Sequence, residues 1–374
     1  MSAARVGMVG GGQLARMTHR AAIDLGVELI VLDEDPAAPA VAAGASHRAG
    51  APSDLEALRG LAEAADVVTF DHEQVPGGHL EALVRDGRAV HPSPEAKALA
   101  QDKLLARRTL ERLGLPVPAF AEVQSAAEVE AFAERAGWPV VLKARTGGYD
   151  GRGVLVVHGA AGAATALAGW GGRAVAEAHV PIACELGVLV ARRPSGGAVA
   201  YPPVQTVQRD GMCRWMLLPA PVPGDLSARA EALALDLAAR IGATGLMAVE
   251  LFVTTDGELV VNELALRPHN AGHWTIEGSV TSQFEQHLRA VLDWPLGSTA
   301  STAPAVATVN VVGRGTADPA DGLPSALAVP GAHVHLYGKA PRDGRKLGHV
   351  TALGPDPGAA LELAREAAER LVRA

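Results

Sequence analysis

The first hundred residues alternate between short apolar runs and segments with helical spacing. Apolar runs cover Val6–Val9, Val27–Leu32 and Val67–Phe70, and Gln13–Leu25 has the spacing of an amphipathic helix. A strand, a helix and a second strand in succession favour parallel strands joined by right-handed crossovers. We therefore expect residues 1–100 to form an α/β layer.

The pattern changes after residue 100. A charged amphipathic helix is predicted over Gln101–Leu113, ended by Gly114 and Pro116. Beyond it, β-like runs and helices are segregated, which favours an α+β arrangement. Ser298–Pro304 is rich in Ser, Thr, Ala and Pro, the composition of a linker. These changes divide the chain into three expected domains: 1–100, 101–297 and 298–374.

The most informative segment is a predicted hairpin over residues 246–264. Its Asp256-Gly257 pair lies between apolar and β-branched residues, which is typical of a two-residue turn. Glu250 and Glu263 are equally far from this turn, so they face each other with Cβ atoms about 5 Å apart. Two carboxylates so close repel unless a proton or a cation such as Mg²⁺ or Mn²⁺ lies between them. The alternative is an edge hairpin with both groups solvated.

Two glycine-rich segments have features of phosphate sites. Thr146–Gly153 holds four glycines that let backbone N–H groups turn toward an anion, and Lys143 ends the preceding strand. This segment could close as a lid, or be only a flexible loop.

The second segment, Gly10–Ala15, fits the pattern G-x-G-x-x-A and is followed by Asp33 at the end of the next strand. This combination is the dinucleotide-binding fingerprint. The same turn could bind another phosphate or merely pack.

Composition and charge narrow the function classes. The 374 residues are 48% hydrophobic and 20% charged, typical of a soluble protein of two or three domains. A net charge of −8 disfavours a general nucleic-acid coat but allows a local basic pocket. Cys184 and Cys213 support neither a disulfide framework nor a zinc site, which fits the cytoplasm. We expect no secretory signal and no membrane span.

Together these segments resemble the ATP-grasp superfamily and, within it, the 5-(carboxyamino)imidazole ribonucleotide synthetase family. The matching stretches span nearly the whole chain in the family's order: Gly10–Met17, Thr146–Gly153, Asn262–Thr275, Ser282–Ala290 and Tyr337–His349. The resemblance implies an ATP-grasp fold with an N-terminal Rossmann-like domain, a lid at about 117–180 and a small β-rich C-terminal domain. It also implies ATP, Mg²⁺ (or Mn²⁺) and bicarbonate, a small ribonucleotide substrate, no nucleic-acid or membrane partner, and a homodimer.

The resemblance further implies residue roles. The nucleotide positions are Lys103, Lys143, Gly148, Tyr149, Asp150, Gly151, Arg152, Gly153, Val154, Glu177, Ala178, His179, Val180, Glu185, Asn262 and Glu263. The metal carboxylates are Glu250 and Glu263, the pair that the hairpin register also selects. The substrate positions are Gln13, Leu14, Glu73, Asn270, Lys339, Arg345 and Lys346. The catalytic positions are Tyr149, Asp150, Arg152, Arg267 and His269. The sequence departs from the family at Gln208, where a His is common, at Leu266 and at Asp71-His72.

The implied reaction is the ATP- and bicarbonate-dependent carboxylation of 5-aminoimidazole ribonucleotide, through carboxyphosphate, in purine biosynthesis. Three alternatives stay open at this point. The nearest alternative is a formate-dependent glycinamide ribonucleotide transformylase, a related ATP-grasp enzyme. An NAD-dependent oxidoreductase would use the glycine fingerprint but leaves the facing glutamates unexplained. A non-catalytic nucleotide-binding regulator would bind ATP without hydrolysing it.

Overall fold

Three sheets organise the residues that the computed structural model describes, 3–148 and 153–372. The first is parallel, with strand order β3-β2-β1-β4, and apolar side chains fill both of its faces. This is the α/β layer that the sequence predicts. Its elements are β1 (Arg5–Val9), α1 (Gln13–Leu25), β2 (Glu28–Asp33), β3 (Ser46–Ala49), α2 (Leu55–Ala64), β4 (Val67–Phe70), α3 (Gly77–Arg85) and α4 (Pro94–Gln101).

The second sheet is antiparallel, with strand order β5-β8-β6-β7, and α6 and α7 pack on it through a separate apolar core. It lies within the predicted lid. Its elements, with the helix that leads into it, are α5 (Lys103–Arg112), β5 (Phe120–Val123), α6 (Ala126–Ala136), β6 (Val140–Ala144), β7 (Val154–Val157), α7 (Ala160–Gly169) and β8 (Ala174–Ala178). The predicted loop residues Tyr149, Asp150, Gly151 and Arg152 lie outside the described residues.

The third sheet is the largest, with strand order β14-β13-β9-β11-β12-β15-β17-β16 and β10 paired to β9. The C-terminal strands extend the edge of this sheet, because β15 pairs with β12. The last part of the chain therefore continues the central sheet. Its central elements are β9 (Ile182–Arg192), β10 (Ala198–Ala200), β11 (Val204–Arg209), β12 (Met212–Leu218), α8 (Gly224–Arg240), β13 (Gly245–Thr254), β14 (Leu259–Ala265), α9 (Thr275–Gly278) and α10 (Gln283–Val291). The C-terminal elements are β15 (Ala305–Val312), α11 (Leu323–Leu327), β16 (Ala332–Leu336), β17 (Lys346–Gly354) and α12 (Pro357–Val372).

The helix predicted over Gln101–Leu113 is wrong at its start. Helix α4 ends at Gln101, and a separate helix, α5, begins at Lys103. The residue between them, Asp102, is extended, and its carboxylate accepts hydrogen bonds from the N–H groups of Leu104 and Leu105. A side chain that caps the next helix offers the backbone an alternative to continuing the previous one. The break aims Lys103 at the cleft described below.

The mixed architecture, α/β followed by α+β, is confirmed. Among the described residues, no helix combines the length and the apolar character that a membrane crossing requires. Ser298–Pro304, predicted as a linker, runs along residues 278–281 through backbone hydrogen bonds such as Thr281 N–H to Ser298 O. This contact fixes the path of the chain from α10 into β15.

Candidate functional site

A cleft of about 1140 Å³ opens between the three sheets. Its walls carry Gln13 and Glu73 from the parallel layer, Lys143 from the second sheet, and Glu250 and Lys346 from the third. Each of these residues was a predicted site position in a different part of the sequence. The fold therefore brings the predicted positions from all three parts of the chain around one cavity.

The hairpin of β13 and β14 places Glu250 opposite Glu263, as predicted. The route to this register differs from the expected one. The turn holds three residues, Thr255–Gly257, with Gly257 at φ 81°, which alone would shift the pairing by one. A β-bulge at Asn262 shifts it back, because Glu250 pairs with Glu263 while Leu251 pairs with Val261. Bulges re-aim side chains, and both Asn262 and Glu263 line the cleft.

The two carboxylates differ in their electrostatics. Burial, with Glu263 and Glu185 nearby, raises the pKa of Glu250 to about 7. Burial alone would also raise the pKa of Glu263, but the ammonium groups of Lys103 and Lys143 outweigh it and lower that pKa. Lys103 Nζ lies 2.5 Å from Glu263 Oε1. Neither carboxylate is sealed off, since 27% and 45% of their side-chain surfaces stay open to the cleft.

A buried ion network lies behind this pair. The carboxylate of Glu177 contacts Arg107 Nε at 2.7 Å and Lys143 Nζ at 2.9 Å, and all three side chains are less than 10% exposed. Burial alone would raise the pKa of Glu177, but the two cations lower it. Lys143 also donates to Asn262 Oδ1 at 3.0 Å, and Asn262 Nδ2 donates to Glu250 Oε2 at 3.3 Å. The network thus connects Lys143 to Glu250 through the amide of Asn262.

The segment after β14 carries the predicted Arg267 and His269. Arg267 Nε lies 2.7 Å from Glu73 Oε1, which joins this segment to the loop after β4. His269 Nε2 lies 3.5 Å from Glu250 Oε1. Burial, with Arg267 and Lys346 nearby, lowers the pKa of His269 to about 3, so its imidazole is neutral. Both side chains therefore lie beside the carboxylate pair.

Most other predicted positions also line the cleft: Leu14, Gly148, Val154, Ala178, His179, Val180, Glu185 and Asn270. Three described positions are absent from that lining. Gly153 closes the strand pair instead, with its carbonyl accepting from the Ala144 N–H. Lys339 donates to Gln13 Oε1, and the Arg345 guanidinium donates to the carbonyl of Ala340. The roles of all these residues stay predictions.

The glycine turn before α1 is occupied by the protein's own carboxylates. The Gly11 N–H donates to Asp33 Oδ2 and the Gly12 N–H to Asp71 Oδ2, both at 2.7 Å. A Cβ atom on Gly10 would lie 1.9 Å from Asp71 Oδ1. A phosphate needs such N–H groups for itself. At Gly11 and Gly12, the turn therefore does not offer them to a dinucleotide, although Gln13 and Leu14 just beyond it line the cleft.

The departures from the family pattern also lie here. Gln208 lines the cleft and hydrogen-bonds Glu185. This bond alone would lower the pKa of Glu185, but burial outweighs it and raises that pKa. His72 lines the cleft, while Leu266 is buried in the core. Sequence reasoning missed Arg107, because one arginine in a charged helix carries no signal of burial. It also missed the buried glutamine Gln283, which lies within the family-like stretch Ser282–Ala290.

These features define a class of protein: one with a cleft between a small antiparallel sheet and a larger sheet, lined by paired carboxylates and lysines. Comparison with known families agrees with this class. Residues 3–101 match the ribonucleotide synthetase preATP-grasp domain, residues 108–284 match the ATP-grasp domain, and residues 307–363 match the phosphoribosylaminoimidazole carboxylase C-terminal domain.

Individual relatives are similar over nearly their full length. An N5-carboxyaminoimidazole ribonucleotide synthase of Mycobacterium tuberculosis is 50% identical, covering 98% of this chain and 87% of the relative. A crystal structure of N5-carboxyaminoimidazole synthase from Aspergillus clavatus, in complex with ADP and 5-aminoimidazole ribonucleotide, superposes with a TM-score of 0.92 at 32% identity, covering 100% and 99% of the two chains. The synthetase of Thermus thermophilus gives 0.88 at 38% identity, covering 99% of each chain. The chain belongs to the N5-carboxyaminoimidazole ribonucleotide synthase family of ATP-grasp proteins.

Proposed function

We propose that this protein uses ATP and bicarbonate to carboxylate 5-aminoimidazole ribonucleotide, forming N5-carboxyaminoimidazole ribonucleotide for purine biosynthesis. The observation that carries the proposal is the facing pair Glu250 and Glu263, in one cleft with Lys103 and Lys143. Membership of a family whose members are named for this product supports it. Lys103, Lys143, Arg267 and Lys346 line the same cleft and supply cationic groups for an anionic nucleotide and an anionic ribonucleotide.

The carboxylate pair fits a hard divalent cation such as Mg²⁺ or Mn²⁺. Its donors are oxygens, as such ions prefer, and Lys103 already places a positive charge at Glu263. Two carboxylates leave coordination positions for phosphate oxygens, which is how Mg²⁺ commonly binds at phosphate-transfer sites. When bound, the ion would neutralise charge on the transferring phosphoryl group. Glu250 and Glu263 would hold it, with Asn262 orienting Glu250.

The chain's own groups would organise the first chemical step. A bicarbonate oxygen attacks the γ-phosphorus of ATP, the bond to the β-phosphate oxygen breaks, and carboxyphosphate and ADP result. Lys143 is held by Glu177 and Asn262, and Arg267 by Glu73, so their positive charges are preorganised for that transfer. Carboxyphosphate is hydrolysed readily in water, so the lid over residues 117–180 would close first.

The second step transfers the carboxyl group to the substrate amine. The amine nitrogen attacks the carboxyl carbon, inorganic phosphate leaves, and the nitrogen loses a proton. Glu73, Asn270 and Lys346 line the cleft on the side where the ribonucleotide would lie. The lid residues Tyr149, Asp150 and Arg152, which lie outside the described residues, would position the amine. Asp150 would accept its proton.

The wider setting is part of the same proposal. We assign domains to 1–100, 101–297 and 298–374. The separate parallel sheet supports the first boundary, and the match of residues 307–363 to a C-terminal domain supports the last, although its strands continue the central sheet. We place the enzyme in the cytoplasm as a homodimer, with no nucleic-acid or membrane partner. Two unpaired cysteines in the described chain fit a reducing compartment.

An ADP-release assay tests the function directly. Purified protein is given ATP and Mg²⁺ with each combination of bicarbonate or formate and 5-aminoimidazole or glycinamide ribonucleotide. Only bicarbonate with 5-aminoimidazole ribonucleotide is expected to give rapid ADP formation. Formate with glycinamide ribonucleotide as the active pair would instead identify the transformylase. ATP binding without turnover in any combination would favour the non-catalytic regulator.

A further inference from the structure

Helix α10 carries three polar side chains that the proposed chemistry does not use. Gln283, Gln286 and His287 all have 0% exposure. Burying such groups is costly unless each finds hydrogen-bond partners. His287 accepts from the Leu246 N–H at 3.0 Å and lies 2.9 Å from Thr69 Oγ1, which joins β13 to the parallel layer. The two glutamines are bonded differently, to main-chain groups.

Gln283 holds the peptide groups of His269 at two points. The His269 N–H donates to Gln283 Oε1, and Gln283 Nε2 donates to the His269 carbonyl, both at 2.8 Å. The second hydrogen of Nε2 is directed to His273 Nδ1 at 3.2 Å. Only this orientation of the amide satisfies both main-chain groups, because the opposite one would oppose donor to donor. These two hydrogen bonds form a clamp that fixes the main chain at His269, and with it the point from which the His269 side chain projects.

The neighbouring backbone is shaped around this clamp. A Cβ atom on Gly272 would lie 2.4 Å from Gln283 Oε1, 2.6 Å from its Cδ and 2.5 Å from Leu189 Cδ1. Contacts below 3.0 Å force something to move, so the carboxamide occupies space that any side chain at position 272 would take. Residues 267–273 lie beyond the end of β14 and lack its strand ladder. Buried main-chain groups without a ladder depend on side chains for their partners.

Gln286 provides a built-in comparison. Its Nε2 donates to the Gly297 carbonyl at 2.9 Å, and its Oε1 accepts from the Gly297 N–H at 2.8 Å. The residue type, the helix, the burial and the two-point bonding are the same as for Gln283. The segment that is held differs: Gly297 lies before β15 and is absent from the described lining of the cleft, whereas His269 lines it. The third partner also differs, Tyr201 for Gln286 and His273 for Gln283.

We propose that Gln283 is a positioning residue for catalysis, acting through His269. This role rests on the proposed function, since it assigns His269 a part in that reaction. His269 Nε2 lies 3.5 Å from Glu250 Oε1, and Asn270 follows it into the cleft. Releasing the peptide would let the His269 imidazole move by the ångström or so that reaction geometry does not tolerate.

The test compares Gln283→Met with Gln286→Met. Each variant removes the two buried hydrogen bonds to one residue's peptide groups, and each also loses one side-chain partner, His273 for Gln283 and Tyr201 for Gln286. Measurements are kcat and KM for each substrate, ADP affinity by calorimetry, and the thermal midpoint. We expect Gln283→Met to lower kcat about 10- to 100-fold while ADP affinity changes little. Gln286→Met should lose similar thermal stability but keep kcat within about threefold.

Two further variants separate positioning from folding. Gly272→Ala keeps the glutamine but displaces its carboxamide, so it should reproduce the loss of kcat even if Gln283→Met fails to fold. In a His269→Ala background, Gln283→Met should change the residual kcat by less than about threefold, because the group through which it acts is gone.

The outcomes are distinct. An active wild type in which Gln283→Met and Gly272→Ala keep normal kcat, or lose it only as much as Gln286→Met does, would overturn the positioning role alone. Full additivity with His269→Ala would do the same. A wild type without ribonucleotide-dependent ADP formation would overturn the proposed function, and this role with it.

Discussion

Two regions of the molecule show the sequence features of a phosphate-associated site, and they use their polar groups in opposite ways. In the β13–β14 hairpin, Glu250 and Glu263 face each other and stay partly open to the cleft. In the glycine turn before α1, Asp33 and Asp71 bind the N–H groups of Gly11 and Gly12. The carboxylates of the hairpin can therefore still contact a ligand. The Gly11 and Gly12 N–H groups of the turn already donate to side chains of the protein itself.

The comparison explains why two motifs of similar appearance predict function unequally well. A hairpin register is a local property, so two residues near one turn can be assigned as neighbours from the sequence. Whether the Gly12 N–H is free depends on Asp71, which follows strand β4 and lies 59 positions away. That partner is set by tertiary structure, and a G-x-G-x-x-A pattern carries no information about it.

The largest expected effect is at the hairpin. Glu263→Gln removes the charge that would help to hold the metal, so we expect ribonucleotide-dependent ADP formation to fall by about 10³-fold or more. The fold should persist, because the side chain is open to the cleft. Steady-state ADP release and the thermal midpoint measure the two effects. The control is Glu258→Gln, which changes an exposed glutamate near the turn of the same hairpin and should keep full activity. A Glu263→Gln variant that stays active would refute the metal assignment.

The next effect concerns the ions behind the hairpin. Glu177→Ala would leave Arg107 and Lys143 buried without their counter-charge, which we expect to cost about 3–5 kcal/mol of unfolding free energy. Urea denaturation measures it. Arg229→Ala, which breaks an exposed ion pair with Glu258, should cost about 1 kcal/mol or less. Equal losses for the two variants would mean that the buried network is not a stabilising unit.

At the glycine turn we expect an effect on folding. Gly10 has φ 99°, and a Cβ there would collide with the Asp71 carboxylate. Gly10→Ala should therefore lower the unfolding free energy by about 2–4 kcal/mol, through backbone strain and loss of the Asp71 bond to Gly12. Gly26→Ala is the control, since φ there is 64° with open space around the Cβ, and should cost about 1–2 kcal/mol. Similar costs at both positions would show that Asp71 does not fill the turn.

The smallest effect is a pH dependence beside the turn. Lys97 is 2% exposed and donates to the Glu73 carbonyl at 2.8 Å, and burial lowers its pKa from 10.5 to about 8. Between these values the unfolded chain binds the proton and the folded chain does not, so this lysine makes stability rise with pH from about 8 to 10.5. Lys97→Met should be more stable than wild type at pH 7, by about 2 kcal/mol after the lost hydrogen bond is counted.

Denaturation at a series of pH values checks this last prediction. The advantage of Lys97→Met should shrink steadily from pH 8 to 10.5. An advantage that stays constant across this range would mean that Lys97 does not lose its proton on folding there.

The sequence was sufficient for much of the fold and for part of the site. The strand–helix alternation and the Glu250–Glu263 pairing are confirmed, and so is the resemblance to the family. The helix predicted from Gln101 was wrong at its start because Asp102 caps the following helix. The predicted pairing is correct because two deviations from the expected hairpin cancel. The turn has three residues instead of two, and the bulge at Asn262 shifts the register back by one.

Other parts of the site depend on contacts between distant segments. The Gln283 clamp on His269 spans 14 positions and needs α10 to be packed beneath the segment after β14. The burial of Arg107, in α5, depends on Glu177, which lies 70 positions away in β8. Neither leaves a periodic or motif-like trace in the chain. Residue roles in the lid loop, including Tyr149, Asp150 and Arg152, stay predictions.

The measurement that tests the central claim most directly is the position of a bound Mn²⁺ ion. Crystals grown with Mn²⁺ and ADP would locate the metal by its anomalous scattering. We predict manganese between Glu250 and Glu263, within about 2.2 Å of an oxygen of each carboxylate and of a nucleotide phosphate. Manganese bound with the nucleotide elsewhere, leaving Glu263 paired only with Lys103, would contradict the account.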